Sequence, residues 1–593
     1  MVVDDQTRKL LARKLKSRRG SAVELGNQAD DKLERLLIRR FGRLASVRRF
    51  ITLWTLLFVL LSLATFFQFR SLTRQYQALK PVAGGLYNEG IIGTFTNANP
   101  LYATGAADTA VSRLVFSGLF KYDDKNQLVG DLAQEWKPGA GANQYLVILK
   151  QGIKWHDGTS FTADDVVFTY KTIQNIEAQS SLYSSWQGIS VKKINDYMVS
   201  FELPNPLSSF PYSLTNGIVP AHILSKVPPQ DLRSVPFNIA PVGTGPFVWK
   251  FVDVSGSGSE DRQQRITLAA NKNYFLGRPK LDGFSIITFR DDRHLTDAFT
   301  KKQLNAMSGL EAVPDNLSKD TATHAYVTPL TGEIMAFFNT SHPGLDDAKV
   351  RQALVSGADR SSISSLTSYP SEVVDSPFLK GQLAYNPTIT QLAYNEDYAN
   401  QLLDQDGWVR DALGYRSKAG QPLQFTMVTR GTTDYSNTAS FLQKQWQKLG
   451  VKLKIEYPQS DELQPRIANH DYDILLYGIS IGVDPDVYAY WDSSQASITS
   501  QGHLNLSEYK STAADQALEF GRTRSDPSLR VVKYQAFLTT WKNDAPALAL
   551  YQPNYLYITR GPVFNYERRA ANSAADRFYN VDNWMIRQKH QDI

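Results

Sequence analysis

The chain has no cysteine. That single absence removes disulfides, thiolate metal sites, a cysteine nucleophile and a lipidated cysteine behind a signal peptide. It leaves the compartment open, since an exported protein with a large core can do without disulfides. Histidine is scarce: His156, His222, His294, His324, His342, His470, His503 and His590 form no H-E-x-x-H and no pair four residues apart. A histidine-rich metal site is therefore unsupported. There is also no G-x-x-x-x-G-K-[ST] loop and no G-x-G-x-x-G turn. His156-Asp157 could form half a triad, but Asp157-Gly158 reads better as a turn. The pairs Asp164/Asp165 and Asp291/Asp292 read as helix-start or surface acids rather than a glycosidase dyad. The expectation is no catalytic residue, no metal, no cofactor and no enzymatic activity.

Positive charge is also missing from most of the chain, although the net charge is +6. Residues 1–50 hold 14 Lys and Arg against 6 Asp and Glu, an excess of eight, which leaves residues 51–593 at −2. A nucleic-acid-binding body would need a basic footprint, so no nucleic-acid partner is expected.

What is present begins with Phe50–Phe69, FITLWTLLFVLLSLATFFQF, 20 residues without a charge. At a rise of about 1.5 Å per residue they match the hydrocarbon core of a bilayer. Arg39, Arg40, Arg43, Arg48 and Arg49 precede the segment, while Arg70 and Arg74 follow it. The excess places the N-terminus in the cytoplasm and the bulk of the chain outside. The exit Phe-Gln-Phe-Arg has no small-residue cleavage site, so residues 50–69 read as an uncleaved signal anchor in the cell membrane. Residues 1–49 read as a basic cytoplasmic tail, with a basic run at Arg8–Arg19 and a basic amphipathic stretch at Leu33–Val47. Residues 70–87 read as a stalk.

Beyond the stalk the pattern is α/β. Leu423, Phe425 and Met427 alternate with Gln424, Thr426 and Val428, as in a strand. A helical pattern through Phe441, Leu442, Gln445, Trp446 and Leu449 stops at Gly450. Val451, Leu453, Ile455 and Tyr457 alternate again, and Tyr472–Ser480 is a short apolar run expected as a buried parallel strand. This is a β-α-β unit with a further strand. Thr162-Ala163-Asp164-Asp165 is a capping-box start. Asp526-Pro527 opens a helix that buries Tyr534, Phe537, Leu538 and Trp541. Asn395 caps a helix closed by Gly407. The 10 Trp and 29 Tyr mostly serve the core, but they also suit a solute pocket with apolar bodies and polar tips.

Several stretches, in order, resemble the family 5 extracellular solute-binding proteins, the oligopeptide, dipeptide and nickel group. They are Asn99-Pro100-Leu101, Arg113–Leu119, Asp131-Leu132-Ala133-Gln134-Glu135-Trp136, Lys154–Gly158 with Phe161–Val166, and Val242–Phe247. Val350–Leu354, Leu402-Leu403-Asp404 with Gly407-Trp408, Asp473 with Asp484-Pro485-Asp486, and Ala545-Pro546 continue the match. The resemblance covers about residues 88–560. It implies a two-lobed periplasmic-binding-protein type II fold with an extra subdomain, preceded by one transmembrane helix. Lobe I is expected at 88–335 plus 547–593, with the subdomain near 126–217; lobe II at 336–546; and the crossing at Phe337–Thr340.

The implied function is a receptor that binds peptides or similar small solutes by hinge closure and hands them to an ABC permease. The motif residues His156, Asp157, Gly158 and Asp164 are expected to be scaffold. Ligand contacts are expected at Thr104 and Ala106, and at Tyr477, Ser480, Ile481 and Asp484. Peptide-binding relatives often carry an Asp at the Ile481 position, where it pairs with the peptide's amino group. Its loss here predicts a blocked peptide, a sugar-like solute or a shifted register. Two other readings stand beside this one: a membrane-anchored sensor signalling through the tail, and an extracytoplasmic hydrolase.

Overall fold

The computed structural model describes residues 48–75, 77–139, 143–256, 262–499 and 504–592. The tail features at Arg8–Arg19 and Leu33–Val47, and nearly all of the 1–49 segment, lie outside the described residues. The described residues fall into two units, one drawn from 48–80 with 588–592 and the other from 81–587.

In the first unit, helix Arg48–Gln75 carries the apolar segment. Phe50–Arg70 has a mean hydropathy of 2.3, and none of it is buried, so by length and composition it can cross a membrane. The helix runs past position 70. The expected stalk is therefore ordered: helix to Gln75, then strand Gln77–Val82 in a two-stranded sheet with Arg587–Asp592.

The second unit is built on two large sheets. The seven-stranded sheet runs, in order, Thr323–Pro329, Asn554–Arg560, Ala306–Ser308, Leu86–Ile92, Gly283–Phe289, Gln263–Ala270 and Phe247–Ser255. Its interior strand Gly283–Phe289 is buried at every position, as a strand covered on both faces must be. The five-stranded sheet runs Lys452–Glu456, Gln424–Thr429, Ile474–Ser480, Gly332–Phe338 and Ala547–Tyr551. A four-stranded sheet and helix Ala163–Ile173 fill most of the expected subdomain.

The β-α-β unit is present as expected. Gln424–Thr429 pairs in parallel with Lys452–Glu456 across helix Thr433–Lys448, and Gly450 takes a positive φ of 83° just after the helix. Ile474–Ser480 is parallel to Gln424–Thr429 but antiparallel to Gly332–Phe338, so it is parallel on one side only. Its burial is broken at Tyr477, Gly478 and Ser480, where the strand nears the gap between lobes.

Capping follows the sequence closely. Thr162 and Asp165 form the capping box of Ala163–Ile173. Asn395 accepts from the Tyr398 N–H at 2.9 Å. Asp526 accepts from the Ser528 N–H at 2.8 Å, and Tyr534, Phe537, Leu538 and Trp541 of Pro527–Asp544 are buried.

The crossings lie elsewhere than expected. Phe337 and Phe338 sit inside the five-stranded sheet, opposite Leu475 and Ile474. The ladder Ile334↔Tyr551 to Phe337↔Ala547 ties both connecting strands to that sheet. The chain therefore passes between sheets at Pro329–Gly332 and at Tyr551–Asn554, and not at Phe337–Thr340, 335/336 or 546/547. Continuous ladder hydrogen bonding decides this, and a composition pattern does not register it.

Candidate functional site

Beside these crossings lies a cavity of about 630 Å³. Trp136 and Tyr212 line it from the seven-stranded side; Gln382, Asp484 and Arg530 line it from the five-stranded side. Thr331 and Gln552, from the two crossing segments, lie at the same cavity. Its volume falls within the usual range for a small-ligand site.

Two segments outside the cavity lining are also bridged. The Ser208 N–H and Oγ both donate to the Arg522 carbonyl at 2.9 Å. Ser209 Oγ donates to the Asp486 carboxylate at 2.9 Å. Arg522 pairs with Asp486 at 3.2 Å and lies over the Tyr488 ring at 4.1 Å. These contacts latch Ser208 and Ser209 to the segments that carry Asp486 and Arg522.

Asp484 is present at the cavity but already committed. Arg530 Nη1 and Nη2 donate to its two oxygens at 2.8 and 2.6 Å, and both side chains are 7% exposed. Arg530 Nε also donates to the Gly521 carbonyl at 2.9 Å. Burial works against the Arg530 charge, but the hydrogen bonds and charge of Asp484 outweigh it and hold its pKa above the ordinary arginine value. Such a bidentate pair is strong and geometrically fixed. Burial, and then the Asp484 charge, push the Tyr212 hydroxyl's pKa up.

The other expected contacts scatter. The Tyr477 hydroxyl accepts from Arg430 at 2.8 Å and from Gln464 at 3.3 Å, and the Arg430 guanidinium lies 4.7 Å from its ring. The Ser480 carbonyl accepts from the Tyr490 hydroxyl at 2.8 Å. Ile481 is 8% exposed, packs into the lobe II core, and donates its N–H to the Thr331 carbonyl. None of these three lines the cavity, but Gly482 to Asp484, directly after them, do. Thr104 and Ala106 are exposed where helix Ala106–Val115 begins. Their neighbours Ala103 and Thr109 line a separate cavity of about 420 Å³ with Arg113.

Sequence reasoning missed Tyr212, Gln382 and Gln552, which carry no local signal. Trp136 was visible as the end of D-L-A-x-x-W but was read only as a family mark. Gln382 Nε2 donates to the Gly482 carbonyl at 2.7 Å, and Gln552 Nε2 donates to the Leu330 carbonyl at 2.7 Å. Both amides brace the backbone that shapes the cavity.

The strongest motifs are scaffold. His156 Nδ1 accepts from the Gly243 N–H at 3.2 Å and its Nε2 meets the Gly245 carbonyl at 3.0 Å, so K-W-H-D-G clasps V-G-T-G-P-F. Burial lowers the His156 pKa, in keeping with a neutral ring. A Cβ at Gly243 would lie 1.9 Å from the Val115 carbonyl oxygen, and at Gly245 2.6 Å from the Val115 carbonyl carbon. Only glycine lets this loop close against the helix end. Asp157 turns instead to His222 at 2.7 Å. Arg351 of V-R-Q-A-L donates to the Asp544 carbonyl at 2.7 and 3.0 Å, satisfying the last turn of Pro527–Asp544 beside Ala545-Pro546.

A cavity beside the two segments that cross between the large sheets is the arrangement of a two-lobed α/β binding fold. Residues 127–500 match the family described as bacterial extracellular solute-binding proteins, family 5, middle. The chain belongs to that family and is a solute-binding protein of ABC importers. The oligopeptide-binding protein AppA of Bacillus subtilis is 30% identical over 529 residues, covering 86% of this chain and 92% of AppA. The AppA structure in complex with a nonapeptide matches with a TM-score of 0.67 at 29% identity, covering 86% and 100% of the two chains. NikZ from Campylobacter jejuni, in complex with Ni(L-His), matches in fold with a TM-score of 0.70 at 24% identity, covering 84% and 99%.

Proposed function

We propose that this chain captures peptides in the inter-lobe cavity and presents them to an ABC permease while residues 50–69 hold it in the lipid bilayer. The observation that carries this is the cavity itself: lined from both lobes and both crossing segments, and latched at Ser208 and Ser209. The likeness to AppA across most of both chains supports a peptide as the solute. The two sheets mark the two lobes, with the hinge at Pro329–Gly332 and Tyr551–Asn554. The arginine excess before the apolar helix supports a cytoplasmic N-terminus and an extracellular receptor. Anchoring in the membrane keeps the receptor at high effective concentration near its permease.

Asp484 is the one carboxylate among the described residues lining this cavity, and Arg530 occupies both of its oxygens. A ligand α-ammonium finds no free partner there, and an unpaired buried ammonium is costly. Lys125 and Lys380 stand exposed at the rim. Peptides with blocked or acidic ends therefore suit the cavity better than peptides with a free amino terminus beside Ile481. Native mass spectrometry of the full chain in detergent, purified gently, tests this. A ladder of co-purified short peptides is the expected result. A single non-peptide mass would overturn the solute class and leave the receptor role intact.

A further inference from the structure

A second cavity, of about 290 Å³, spans the same two lobes. It shares no lining residue with the peptide cavity: Ile334 and Tyr551 line it, whereas Thr331 and Gln552 line the other. Its chemistry also differs. The peptide cavity has its only lining carboxylate neutralised by Arg530; the second holds two carboxylates, Glu311 from the lobe I chain after Ala306–Ser308 and Asp434 from the first turn of Thr433–Lys448. Four tyrosines surround them: Tyr369, Tyr435, Tyr551 and Tyr555.

We propose that this cavity is a binding site for a small organic ammonium ion, held between Glu311 and Asp434 and boxed by the tyrosine rings. An ammonium needs acceptors and favours aromatic faces, and this wall supplies both. The Tyr551 side chain is 3% exposed, and its hydroxyl makes no hydrogen bond. Burial raises the Tyr551 pKa and the Thr438 hydroxyl beside it lowers it; that hydroxyl gives its own proton to the Asp434 carbonyl at 2.7 Å, so toward Tyr551 it can act only as an acceptor. A buried hydroxyl left open at a cavity wall marks an unfilled polar position.

Glu311 is an exposed residue at the cavity's edge; partial burial of its carboxyl, and then the charges of Asp434 and Asp292, raise its pKa, while the Thr433 backbone N–H works against that rise. Asp434 accepts from the Ser368 N–H and Oγ at 2.9 and 2.8 Å, both through Oδ1. Arg430 lies 5.8 Å from the Tyr435 ring, but its hydrogen bond goes to Tyr477. A calcium-type cage needs more oxygen ligands than two carboxylates supply, and no group of three or more metal-ligating side chains occurs among the described residues.

Because the two carboxylates come from different lobes, a cation bound to both favours the arrangement in which they face each other. In this structure that arrangement coexists with the Ser208 and Ser209 latch. Binding at the second cavity and solute binding in the first are then coupled, and linkage makes the coupling reciprocal.

Calorimetry on the full chain in detergent micelles tests this, with putrescine as probe and its uncharged diol analogue as control. Putrescine is expected to bind saturably, and the diol is expected not to bind. Glu311→Gln should weaken putrescine binding about tenfold or more, the loss of one charge-assisted partner. Tyr551→Phe should weaken it by a smaller factor. No putrescine binding, or binding that Glu311→Gln leaves unchanged, would overturn the proposal.

Discussion

Two glutamates are completely buried, one in each large sheet, and they are treated in opposite ways. Glu89, in Leu86–Ile92, takes hydrogen bonds from Arg577, from the Tyr557 hydroxyl at 2.8 Å and from Ser308 at 3.4 Å. The Tyr557 hydroxyl also meets that of Tyr87 at 2.7 Å. Burial works against the Arg577 charge, yet Glu89 more than offsets it and holds its pKa up. Glu333, in Gly332–Phe338, has neither oxygen hydrogen-bonded, and burial alone pushes its pKa well above the usual carboxylate range. Glu89 is a charge kept inside by partners; Glu333 is a carboxylic acid kept inside by holding its proton. The first network stitches the C-terminal segment Ala574–Phe578 to the first strand of lobe I. The second group directly follows the Pro329–Gly332 crossing between the sheets.

The largest effect should come from breaking the partnered site. Arg577→Met strands the Glu89 charge, and denaturant melts should show a loss of about 3–5 kcal/mol. A loss below about 1 kcal/mol would mean that Glu89 is no better paired than a surface acid.

Glu333 gives a pH signature. Its folded pKa is raised, so the native chain keeps a proton that the unfolded chain releases above the usual carboxylate pKa. Stability is then fully present below that unfolded value and declines as pH rises toward the folded one. The slope from this group reaches about 1.4 kcal/mol per pH unit. Glu333→Gln removes it, so the variant should gain stability relative to the parent between about pH 5 and about pH 8. Parallel stability profiles for the two proteins would show that Glu333 finds a partner.

The smallest effect concerns the latch. Ser209→Ala removes one hydrogen bond made across the cleft, and solute affinity should fall about fivefold, the worth of about 1 kcal/mol. An unchanged affinity, measured by calorimetry with the co-purified solute, would mean that the latch does not report closure.

Much of the fold was legible in the sequence because its causes are local. Asp526-Pro527, Asn395 and Thr162–Asp165 act within a single helical turn, so their caps stand where reading placed them. The β-α-β unit around Thr433–Lys448 and the apolar span from Phe50 likewise follow from periodicity and length. The site was legible only in outline. Of the segment expected to contact a ligand, Asp484 lines the cavity whereas Tyr477, Ser480 and Ile481 do not, and Asp484 is taken by Arg530, 46 residues further along.

By itself the sequence determined the long apolar helix, the α/β alternation, the helix caps and the absence of cysteine chemistry, all properties of neighbours within a few residues. Only the tertiary structure decided where the chain crosses between sheets, which carboxylates are spent and which remain open, and that Glu311 and Asp434 share a cavity. Those outcomes depend on groups brought together from distant parts of the chain, where the partner of a charge is set by packing and not by spacing.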